Sequence, residues 1–66
     1  MNKHYSKRCA WGTLEISANF GEASSQIRYR VNEDDDFRVT PFQVASAGHS
    51  APKAFVLVNR WLKGQN

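Results

Sequence analysis

The sequence predicts a small α+β fold: an antiparallel sheet of two to three strands with a C-terminal amphipathic helix packed on one face. Three observations carry this expectation. Apolar and polar residues alternate strictly over 14–20, and alternation resumes over 26–31 after a glycine- and serine-containing break. Residues 51–63 then change to a helical period.

Leu14, Ile16, Ala18 and Phe20 share one parity and Thr13, Glu15, Ser17 and Asn19 the other, which assigns the first set to a buried sheet face. Trp11 falls on the polar parity and is read as an exposed anchor for a partner. Gly21-Glu22-Ala23-Ser24-Ser25 forms the turn, with Gly21 free to take positive φ. In the next strand Ile27, Tyr29 and Val31 point inward, and Gln26, Arg28 and Arg30 outward. The run Glu33-Asp34-Asp35-Asp36 is a loop, followed by a short third strand that Phe37 and Val39 suggest, with Phe37 inward.

Thr40-Pro41-Phe42-Gln43 has the form of a capping box with proline at the first helical position, which favours a short helix over 41–47, stopped by Gly48. The competing reading keeps 42–45 extended after a bulge at Pro41. Ser50 or Ala51 caps the last helix, Pro52 lies in its first turn and Gly64 follows its end. On that helix Ala51, Ala54, Phe55, Leu57, Val58, Trp61 and Leu62 gather on one side and Lys53, Asn59, Arg60 and Lys63 on the other, leaving only Val56 out of place. A strand over 54–58 is the rival, since Phe-Val-Leu-Val has high β propensity, but the polarity of 59–63 fits a helix better. Residues 1–8 are basic and without periodicity and are read as a flexible arm, with 9–66 as one small domain.

With 66 residues there is room for one domain, and its core is small. A composition of 41% hydrophobic and 23% charged residues fits a soluble globular chain better than a disordered one. The single cysteine, Cys9, rules out an intramolecular disulfide and, with no secretory leader or membrane span in the sequence, points to a cytoplasmic location.

Candidate chemistry is sparse. Cys9 with His4 or His49 as base lacks an orienting group and an oxyanion site, and the three lie at no recognised metal-ligand spacing. The acidic run lacks the alternating ligands, the central glycine and the terminal glutamate of a calcium loop. No enzyme, metal or cofactor is expected.

The order strands, Gly48-His49-Ser50-Ala51-Pro52-Lys53-Ala54, helix resembles the second half of a double-stranded-RNA-binding domain over the last third of the chain. Ala51 and Pro52 stand where that family places lysines, so the resemblance carries over no RNA-contacting residue.

What remains is a surface of opposed charge. The net charge is +3, yet four of the six carboxylates sit in the run Glu33, Asp34, Asp35, Asp36. The rest is basic, with Arg28 and Arg30 on the outer sheet face and Lys53, Arg60 and Lys63 on the helix. An ion pair from Glu15 to one of the two arginines is the plainest reading of that face. The expectation is a small non-enzymatic regulator, of the size of phage- or mobile-element-encoded inhibitors, docking on a larger host protein or nucleoprotein complex. The alternative is a basic accessory protein that binds nucleic acid, and either is expected as a monomer or homodimer.

Overall fold

A computed structural model of the chain describes residues 2–10 and 12–65. Four strands form one antiparallel meander in the order of the chain: β1 (Lys3–Cys9), β2 (Gly12–Ala18), β3 (Gln26–Val31) and β4 (Arg38–Gln43). A single 3-10 turn over Val44–Ala47 follows, and then the helix α1 (Ala51–Lys63). The α+β architecture of antiparallel sheet and C-terminal helix is as the sequence predicts, with four strands in place of two or three.

The extra strand is β1, formed by residues read from sequence as an arm. Tyr5 faces Ile16, and Cys9 stands beside Gly12 at the β1–β2 end. Both pack on the core, while Lys3 and Lys7 share their parity and remain exposed. Lysines at inward positions erase the hydrophobic alternation. They also make the edge a poor template for pairing with another sheet.

Leu14, Ile16, Ala18 and Ile27 from the sheet meet Val44, Ala47, Ala54, Phe55 and Val58 in the core between sheet and helix. Each large aliphatic side chain among them stabilises the fold by about 1.5–3 kcal/mol. Tyr5 meets Phe55 edge to face, and Trp61 stands edge-on to Tyr29 and Phe42. The helical reading of 54–58 holds, and the out-of-pattern Val56 is 48% exposed. Ser50 is the N-cap, its side chain accepting from the Lys53 amide, and Arg60 and Lys63 lie in the last turn beside the negative end of the helix dipole.

At the β3–β4 pair two expectations change. Residues 41–43 belong to β4, so the short helix over 41–47 shrinks to the 3-10 turn at 44–47, which Gly48 ends in the left-handed region at φ 60°. Gln26 faces Gln43 and Arg28 faces Val39, so Thr40-Pro41-Phe42 bulges opposite Ile27 alone. Pro41 has no N–H to give to a ladder, and side chains take over there. The Thr40 hydroxyl donates to the Ile27 carbonyl at 2.7 Å and accepts from the Phe42 amide at 3.2 Å, while the Gln26 amide donates to the Thr40 carbonyl.

The second change is register. Thr40 and Phe42 point inward, and Val39 is 58% exposed on the outer face. Thr40 is a polar residue that belongs in the core only because both roles of its hydroxyl are filled. Counting parity from an inward Phe37 therefore inverts the strand.

The turns are set by side chains as much as by glycine. Asn19, not a positive-φ Gly21, organises the β2–β3 turn, its Oδ1 accepting from the Gly21 amide at 3.1 Å. Glycine is required at Gly12, where φ is 132° and a Cβ would stand 2.9 Å from Asn32 Oδ1.

Candidate functional site

The helix covers one face of the sheet and leaves the other open. Along that outer face run His4 of β1, Glu15 and Ser17 of β2, and Arg28 and Arg30 of β3, all opposite in parity to the buried set. The register puts Arg30 directly across from Glu15 and Arg28 across from Ser17.

Glu15 is the hub. Arg30 Nε donates to its Oε1 at 2.8 Å, and His4 Nδ1 lies 2.7 Å from its Oε2. An ionised carboxylate only accepts, so the Nδ1 of His4 carries the proton in this contact. Burial pushes the Glu15 carboxyl up, but the hydrogen bonds from Arg30 and His4 and their charges outweigh it and hold it below its ordinary value.

Phe37, expected inward, lies over this cluster. Its ring is edge-on to His4 at 5.6 Å between centroids, and the Arg30 guanidinium sits 4.6 Å from its centre. Arg30 Nη1 also donates to the Glu33 carbonyl at 3.3 Å. At the stem of the loop Asn32 takes φ 65° and its amide bonds to the Thr13 carbonyl at 2.9 Å. Arg30 is thus committed within the molecule: it binds the two ends of the loop, Glu33 and Phe37, to the sheet. The ion pair expected between Glu15 and one arginine is the one to Arg30.

The consequence falls on the acidic run. Glu33, Asp34, Asp35 and Asp36 are all exposed, and none forms an ion pair with another described residue. Four like charges are held together on a loop whose stem is fixed at both ends.

The expected basic face does not assemble as one surface. Arg30 is internally bound, Arg28 stays exposed on the outer sheet face, and Lys53, Arg60 and Lys63 are exposed on the helix, behind the sheet. Trp11, expected as an anchor, lies outside the described residues. Cys9 Sγ donates to the Gly12 carbonyl at 3.2 Å, whereas His4 holds Glu15 and His49 Nδ1 meets the Phe20 carbonyl at 2.9 Å. Neither histidine Nδ1 is directed at the thiol. Among the described residues no three His, Cys, Asp or Glu side chains gather to hold a metal ion, and no helix is long and apolar enough to cross a membrane.

No protein-family model, no curated protein and no solved structure matches the chain.

The role of Phe37 is what sequence reasoning missed. An arginine three residues before an acidic run, with an aromatic just after it, is the local signal, but the cross-strand Glu15 and His4 and the turn at Asn32 decide which way the loop folds.

Proposed function

We propose that the protein is a small non-enzymatic binding protein that docks on a basic surface of a larger protein through the acidic loop 33–36. The observation that carries this reading is the clamp beneath the loop. Glu15, Arg30, His4 and Phe37 hold its stem while its four carboxylates go unpaired by any described residue. Gathering like charges costs stability, and a fixed stem lowers the ordering cost when a cationic partner arrives. Complementary charge speeds and orients such an encounter.

The size and the opposed charges suit an inhibitor-type regulator of a host complex, working in the cytoplasm without a cofactor. Binding to nucleic acid through Arg28, Arg30, Lys53, Arg60 and Lys63 is the weaker reading. Arg30 is already bound to Glu15, and the other four divide between the outer sheet face and the helix, so they form no single basic patch for a phosphate backbone. Capture of partners from a lysate of producing cells, with and without nuclease, tests the choice. A stoichiometric protein partner that survives nuclease supports the proposal. Loss of every partner on nuclease treatment overturns it.

A further inference from the structure

At the end of the outer face away from the acidic loop, the sheet holds a polar cleft of about 260 Å³ lined by Asn2, Ser17, Ala18, Ser25, Gln26 and Arg28. Its one charged side chain is cationic. Arg28 is exposed and forms no ion pair with a described residue. Ser17, directly across the ladder from Arg28, is 8% exposed, and among the described residues its hydroxyl makes no hydrogen bond. Its hydroxyl oxygen is not among the side-chain atoms shut off from solvent, so it is open to donate into the cleft. Ser25 accepts from the Asn19 amide at 3.0 Å, which leaves its own O–H free to donate.

We propose that this cleft binds a phosphate group. A guanidinium on β3, a hydroxyl on β2 and a hydroxyl at the end of the β2–β3 turn place donors from three separate backbone positions on one cleft. That arrangement suits a tetrahedral oxyanion, which offers three or more acceptor oxygens, better than a planar carboxylate. No carboxylate lines the cleft. Glu15, on the same face, is ion-paired with Arg30 and hydrogen-bonded to His4, and Glu22 accepts from the Asn19 side chain at 3.4 Å. The acidic run follows the far end of β3, past Val31, and lines no part of the cleft. Along β3 from Arg28 to its end at Val31 the strand rises about 10 Å, a little more than the screening length at physiological salt, so repulsion from the loop is damped there. The site is independent of the proposed docking loop, at the opposite end of β3.

The test is an amide-resolved NMR titration of the full chain with inorganic phosphate, at ionic strength held constant with chloride. O-phosphoserine and acetate are titrated in parallel. The expected result is saturable shifts concentrated at Ser17, Ser25, Gln26 and Arg28, with acetate weaker. Binding of O-phosphoserine as well as phosphate identifies a monoester as an acceptable source, and binding of phosphate alone restricts the site to the free ion. Arg28→Gln and Ser17→Ala each weaken phosphate by at least about tenfold, the loss of one charge-assisted or buried hydrogen bond. Both variants are checked for retained amide dispersion, and Arg28, being exposed, is replaced without disturbing the core. Shifts that never saturate, that follow Lys53, Arg60 and Lys63 equally, or that acetate reproduces at the same concentration overturn the proposal.

Discussion

Replacing Thr40 with valine keeps the shape of a side chain that is 1% exposed and removes only its hydroxyl. That hydroxyl gives a proton to the Ile27 carbonyl at 2.7 Å and takes one from the Phe42 amide at 3.2 Å, where Pro41 leaves the ladder without a donor. Ile27 is itself fully buried, so its carbonyl loses this partner with little water at hand. Stranding the buried Ile27 acceptor costs about 1–3 kcal/mol, leaving the part-buried Phe42 amide without its acceptor adds about 1 kcal/mol, and the added methyl group returns about 0.8 kcal/mol of burial. A net loss of about 2 kcal/mol is expected, out of a total stability of roughly 3–10 kcal/mol for a chain of this length. In a domain of this size that lowers Tm by about 8–16 °C. Thr40→Ser keeps the hydroxyl and gives up one methyl, and is expected to cost about 1 kcal/mol. Thermal unfolding followed by circular dichroism separates the two variants, with hydrogen exchange of the Phe42 amide as a local readout. A valine variant at least as stable as the serine variant refutes the reasoning that the hydroxyl holds the bulge.

Two further outcomes follow from the same structure. Glu15 has a folded pKa below its unfolded one, so its contribution is complete above the unfolded value of about 4.5 and fades as pH falls through the folded value. Urea unfolding should therefore show wild type more stable than Glu15→Gln by about 1–2 kcal/mol at pH 7, with the gap closing in acid; a gap constant from pH 7 to pH 3 contradicts the assignment. Asn59 Oδ1 is shielded from solvent without a hydrogen-bond partner among the described residues, so Asn59→Leu should raise Tm, by about 4–8 °C for each kcal/mol recovered, and a lower Tm in calorimetry would count against it.

Much of this fold is legible in the sequence because two periodicities are clean. Leu14, Ile16 and Ala18 at period two, and Ala54, Phe55 and Val58 at the helical period, are buried as the pattern requires. Legibility fails where a residue's placement depends on a partner far along the chain. Lys3 and Lys7 disguise β1 because an edge strand that meets the helix at Tyr5 tolerates charge at the exposed inward positions on either side of it. Thr40 disguises the register of β4 because hydropathy does not count the bonds its hydroxyl makes. At the candidate site, the outward parity of Arg28 and Arg30 is readable, and so is a pairing of one arginine with Glu15. That the pair is Arg30, and that Phe37 turns outward to join it, depends on the left-handed turn at Asn32 and on His4 from the strand the sequence conceals.

The central claim is that the fixed acidic loop is the docking element, and the most direct measurement replaces its charge alone. Wild type and a variant carrying Asp34→Lys, Asp35→Lys and Asp36→Lys are compared for partner capture from nuclease-treated lysate, after circular dichroism shows that both are folded. These side chains are exposed and contribute to no core contact, so the fold is expected to survive. Loss of the partner by the reversed variant, with wild-type binding weakening as salt rises, is the result the account predicts. Equal capture by both proteins contradicts it and removes the acidic loop from the function.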